Sequence, residues 1–338
     1  MDSWKDNLRA DPTDWLLEAD HPGSRYLAMQ EVFGQGSEDA ELRKARESAH
    51  KEGPIAALLD AMEPDGYWAK SGPGYNPKYR SSVWSFITLS QLGAQQSSDA
   101  RLHLSARYLL DNALAQGGRF STTGAPSGTV DCLQGNLLNA MFLVGIEDDR
   151  LQEAVEWMAR TVNGEGLAPN TERDAALRYY AGKCGPRFQC GANNKLSCAW
   201  GAVKVLMAFA HAPVEMRTGL VQRAIETGVD FLLSVDPAGA EYPTGYSDKP
   251  SRNWWKFGFP VFYITDLLQL VETLVLLGYA GDERLQNATE RILEKQDDRG
   301  RWPLEYTYSG KMLLDFGGKN KPSKWVTIRA LRVLKEIL

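Results

Sequence analysis

A chain of 338 residues with 43% hydrophobic and 10% aromatic content is long enough for one large domain or two ordinary ones. Its formal charge of -5 excludes the basic surplus usual in nucleic-acid-binding proteins. No apolar run approaches ~18 residues and the start, MDSWKDNLRADPTDW, is polar and acidic, so neither a membrane span nor a signal peptide is expected; the reading is cytoplasmic, with peripheral membrane contact left open.

After an N-terminal extension over 1–24, the first apolar helical stretch is RYLAMQEVFG (25–34). SVWSFITLSQLG (82–93), CLQGNLLNAMFLVG (132–145), CAWGAVKVLMAFAHAP (198–213), YITDLLQLVETLVLLG (263–278) and SKWVTIRALRVLKEIL (323–338) follow at near-regular spacing, the mark of a repeat. Between them, DDRLQEAVEWMARTV (148–162) and DERLQNATERILEKQ (282–296) alternate apolar and charged residues, as half-exposed helices do. Both open on acids, which suit the positive end of a helix dipole. Turns such as EPDGYW (63–68), AQGGRF (115–120) and QDDRGRWPLE (296–305) precede the apolar helices, with glycine permitting positive φ. Six apolar–amphipathic pairs predict an all-α fold, a single (α/α)6 toroid of about twelve helices over 1–338. An open solenoid would stack in the same way. Apolar helices at both extremes of the series favour closure.

EKQDDRGRW (294–302) resembles the Gln-to-Gly-x-Trp turn of squalene–hopene cyclases, and DGYW is a shorter echo. Over about 25–338 the chain resembles the superfamily of terpenoid cyclases and protein prenyltransferase β-subunits. It is most similar to the small bacterial proteins known as prenyltransferase or squalene-oxidase repeat proteins. The resemblance implies a cyclase, isomerase or prenyl/alkyl transferase acting on a small apolar, isoprenoid-type substrate, including its diphosphate. Departures are plain: there is no Asp-x-Asp-Asp acid motif, DDRLQE (148–153) lacks the last Asp of a metal motif, and Asp131-Cys132 is adjacent where prenyltransferases space Asp and Cys apart.

Three of the four cysteines, Cys184, Cys190 and Cys198, sit in CGPRFQCGANNKLSC within a loop assigned to 179–198. Buried small hydrophobes, a disulfide and a metal site are the three readings. Cys132 begins the third inner helix and Cys198 the fourth, so all four thiols are placed to converge at one mouth of the ring. That favours zinc held by Cys132, Cys184, Cys190 and Cys198. Four thiolates would make a structural site; three and an open position would make a catalytic one, with Asp131 as ligand or acceptor beside it.

The starts of the inner helices also supply the expected substrate-binding set: Arg80, Trp84, Gln134, Trp254, Trp255, Lys256, Tyr263, Lys324 and Trp325. Aromatic faces stabilise cations and basic residues favour phosphate, so this mouth suits an isoprenoid-like ligand. Asp266, Asp131 and Arg329 are the candidate catalytic residues, although Asp266 and Arg329 also read as a buried ion pair. Two other readings stand beside this one. One is a non-enzymatic toroid that binds a ligand or partner around structural zinc. The other is a carbohydrate-active enzyme using Asp131 and Asp266 as its acid pair. The histidines form no catalytic constellation.

Overall fold

The computed structural model describes residues 3–169, 171–175 and 180–338, so the first residue of the loop assigned to 179–198 lies outside the described residues. A 3-10 turn (Ser3–Asn7) and α1 (Thr13–Leu16) lead into α2 (Pro22–Leu27), which runs on through a π-helical turn (Ala28–Val32). Then come α3 (Ala40–Lys51), α4 (Pro54–Asp60), α5 (Ser82–Gln91), α6 (Ala100–Asn112), α7 (Asp131–Val144) and α8 (Asp149–Asn163). The series ends with α9 (Ala199–His211), α10 (Gly219–Leu232), α11 (Leu267–Leu276), α12 (Gln286–Glu294) and α13 (Lys324–Ile337). Among the described residues the one sheet is a small hairpin, β1 (Leu114–Ala115) antiparallel to β2 (Arg119–Phe120).

The architecture is the expected all-α toroid. α2, α5, α7, α9, α11 and α13 form the inner ring, and α3 with α4, α6, α8, α10 and α12 lie outside. The N-terminal extension fills the remaining outer place: Arg9 N donates to Gln296 Oε1 at 2.7 Å, and Gly300 turns under the Ala10 carbonyl. The ring is closed between α13 and α2. Arg332 pairs with Glu31, Lys324 Nζ reaches Glu18 Oε2 at 2.7 Å, and the Trp325 ring covers Gly23.

Side-chain pattern sets inside and outside. In α8, Leu151, Ala154, Val155, Met158 and Val162 recur at helical spacing and are buried, while the Asp148 carboxylate caps the helix by accepting from Arg150 N. In α7 and α9 nearly every side chain is buried. These two helices touch backbone to backbone at Gly135, where a Cβ would lie 2.4 Å from the Lys204 carbonyl. Glycine removes that obstacle and lets the axes approach.

The turns repeat as a device. Trp68 Nε1 donates to Leu58 O, and Trp302 Nε1 to Ile292 O, both at 2.7 Å and both ten residues back. Each tryptophan's backbone N–H then donates to a hydroxyl on the next inner helix, Ser82 Oγ and Thr327 Oγ1 respectively. Gly66 and Gly300 turn the chain just before them at φ +92° and +77°. Tyr242 repeats the first half of the device with its hydroxyl, which donates to Leu232 O, also ten residues back. Outer helix and following inner helix are thus stapled through one buried aromatic.

Candidate functional site

A cavity of about 570 Å³ opens at the mouth where the inner helices begin. Cys132, at the start of α7, and Cys198, the N-cap of α9, both line it, as does Cys190 from the loop between α8 and α9. Its wall is aromatic, with Trp200, Trp254, Tyr242, Tyr75 and Tyr263. Two cations, Lys78 and Lys183, also line it, and no carboxylate does among the described residues. Lys78 Nζ lies 5.4 Å from the Tyr263 ring centre and 5.1 Å from that of Tyr79, within cation–π range. Asn193 holds one wall to the other: its carboxamide donates to Ser197 O and Pro243 O and accepts from Gly245 N.

The thiols form a string. Cys190 faces Cys198, and Cys198 faces Cys132; Cys184 lies behind them against Asp131. The neighbouring Cys198 sulfur, then burial, push the Cys190 thiol far up, and Cys132 does the same to Cys198, which reaches about 12. Burial and the Asp131 carboxyl raise Cys184. Asp131 is itself pushed up to about 8 by burial, and its Oδ2 has no hydrogen-bond partner. All four cysteines are free thiols. Four sulfurs and an orphaned carboxylate oxygen are a donor set that suits zinc. The geometry is more extended than such a site: among the described residues the only three potential ligands within 4.8 Å of one another are Glu18, Asp20 and His21, all exposed.

Of the expected substrate-binding residues, Trp254 and Tyr263 line the cavity. The others have different duties. Trp84 is fully buried in an aromatic cluster and donates to Tyr75 O. Gln134 is a buried staple, accepting from Phe120 N and donating to Gly118 O. Trp255 is bonded to Ala238 O, Lys324 to Glu18, and Trp325 stacks on Phe259 at 5.0 Å. Lys256 lies over a small pocket beside Asp266, and Arg80 is exposed outside the cavity lining. The residues missed by sequence reasoning are Tyr75, Lys183, Trp200 and Tyr242. Trp200 was marked by its place two residues after Cys198, at the start of an inner helix.

Asp266 and Arg329 are a buried pair. Asp266 caps α11 by accepting from Gln269 N, accepts from Gly258 N, and takes both Arg329 Nη atoms at 2.9 and 3.0 Å. Burial alone would raise its pKa, but the guanidinium and these donors hold it below the usual carboxylate range. With its bonds spent it has no proton to give at neutral pH. Neither Asp266 nor Asp131 lines the cavity, so they do not flank a common substrate there.

No family model matches the chain, and no curated protein matches it. Solved structures do. Type II terpene cyclase MstE from Scytonema, as a variant in complex with merosterolic acid A, is 15% identical, with 87% of this chain and 96% of that chain covered and a TM-score of 0.35. The same enzyme in its apo form gives 15% identity, 86% and 97% coverage and a TM-score of 0.33. A protein from Actinoplanes gives 13%, 86% and 98%, with a TM-score of 0.32. Likeness this remote is silent on reaction and substrate.

Proposed function

We propose that the chain is a terpenoid cyclase- or prenyltransferase-like enzyme that takes an apolar, isoprenoid-type substrate with an anionic end at the cysteine mouth. The observation that carries this is the lining of the 570 Å³ cavity: aromatic walls, three thiols, two lysines and, among the described residues, no carboxylate. Its volume is that of a small-molecule pocket. Apolar surface is removed from water on the aromatic wall. The anionic end is received by Lys78 and Lys183 and by the N-termini of α7 and α9, whose helix dipoles favour negative charge. The carbohydrate reading lacks its acid pair at this cavity.

Cys132, Cys184, Cys190 and Cys198 are the residues that would hold zinc, with Asp131 beside them, the sulfurs drawing together from their string. The metal would supply Lewis acidity or an activated thiolate at the cavity wall. Equilibrium binding of geranylgeranyl diphosphate and geranylgeraniol, followed by tryptophan quenching, tests the ligand. Trp254→Ala should weaken both, whereas Lys78→Ala with Lys183→Ala should weaken the diphosphate alone. No saturable quenching by either compound would sink the reading. Elemental analysis tests the metal: about one zinc per chain is expected, falling in Cys184→Ser, and a value well below one for the unaltered protein removes zinc.

A further inference from the structure

The other end of the ring is chemically opposite. A chamber of about 140 Å³ lies along the ring axis beside α13, and it shares Glu31, Leu143, His211, Glu272 and Arg332 with a vestibule of about 360 Å³ at the mouth where the inner helices end. Its charged donors and two of its amides are spent on the protein. Arg329 is bonded to Asp266 and Gly258 O, Arg332 pairs with Glu31 and Glu272, and the Gln91 and Gln95 amides donate to Val261 O and Leu143 O. Acceptors are left over. Asn139 is 9% exposed, lines the chamber, and its Oδ1 has no partner. His211 sits one helical turn from Met207 O, which can only accept, so Nδ1 carries the proton and Nε2 is an acceptor. Burial holds that imidazole neutral, with its pKa down to about 4. Among the chamber's lining donors, Arg332 Nε is buried without a partner.

Charge points the same way. Glu31, Asp266 and Glu272 are three carboxylates against two guanidiniums, Arg329 and Arg332, leaving this partly buried network one positive charge short. Lys204, further along the axis, is bonded to Gln269 and burial depresses it to about 7, so above that pH it adds no charge. The carbonyl ends of α7, α9 and α11 also face this mouth, adding negative potential.

We propose that this chamber is a second binding site, for a small organic monocation rich in N–H donors, a guanidinium or primary ammonium, held by Asn139 Oδ1, His211 Nε2 and the free lone pairs of Glu31 and Glu272. It is independent of the cysteine-mouth cavity and of any metal there. Thermal shift and calorimetric titration with methylguanidinium test it, against methylurea as the neutral isostere, tetramethylammonium as a cation without N–H groups, and sodium chloride at equal ionic strength. Saturable stabilisation by methylguanidinium alone is expected. Asn139→Leu should weaken its affinity roughly ten-fold, the worth of a hydrogen bond to a charged group, and Asn139→Asp should tighten it. No stabilisation beyond the salt control, or equal shifts with methylurea, would show a chamber filled by water only and overturn the proposal. Identical affinities in the unaltered protein and Asn139→Leu would overturn it as well.

Discussion

Lys204 leaves α9 in the middle of an apolar run and ends on Gln269 Oε1, with no carboxylate bonded to it. Burial drops its pKa to about 7 from an ordinary 10.5. Between those values the unfolded chain binds a proton that the folded chain does not, so stability must rise as pH climbs from about 7 towards 10. Below about 7 both states are protonated and the contribution is flat. Unfolding midpoints in urea at pH 7, 8 and 9 should therefore increase more steeply for the unaltered protein than for Lys204→Met, which keeps the volume and removes the titration. Parallel curves would show that Lys204 is charged in the folded state. The residue was readable in CAWGAVKVLMAFAH as a lone charge on an apolar helix, the same signal that marked Asp266 and Arg329. Glu272 in LLQLVETLVL carried it too. What sequence could not show was direction: these groups point along the ring axis, and the axis is polar rather than a hydrophobic tunnel.

At the scale of elements, α7 and α9 depend on Gly135. Gly135→Ala places a methyl 2.4 Å from backbone atoms of Lys204, which cannot rotate away as a side chain could. A loss of about 2–3 kcal/mol is expected from such overpacking, measured by chemical denaturation. A loss like that of an unremarkable helix substitution would mean that the two helices can part freely. Helix limits were largely legible, since the apolar runs at 82–93, 132–145 and 198–213 became α5, α7 and α9. The run at 263–278 was read too long. Residues 263–266 form an irregular stretch with a bend at 263–264, and Asp266 caps α11, so Tyr263 reaches the cavity from a loop instead of a helix. The turns were readable because Gly-x-Trp fixes a tryptophan ten residues beyond its acceptor. The rim was harder. Lys324, Trp325 and Gln134 have the composition of a binding surface, but their partners, remote in sequence for the first two and in the preceding hairpin for Gln134, decide that they brace the structure.

For the whole molecule, the inner helices share one direction, and this gives the two mouths opposite character. Helix starts, lysines and thiols meet at one; helix ends and carboxylates meet at the other. No helix among the described residues is long and apolar enough to cross a membrane. The ring itself was implied by six apolar helices and by the apolar character of the last, α13, which has a buried face on α11 and another on α2.

A circle drawn from a linear chain has one joint that no peptide bond crosses, and here it is the contact of α13 with α2. Mechanically, that joint is a zipper. Handles on Gln35 and Leu338 would pull at neighbouring ends of two parallel helices, so the Arg332–Glu31 pair bears load first and Lys324–Glu18, at the far end, bears it last. In an optical trap the molecule should open in a small early step at low force before the stapled pairs give way, and Arg332→Ala should lower the force of that step alone. A single rip of unchanged force would mean that the joint is as strong as the covalently continuous part of the ring.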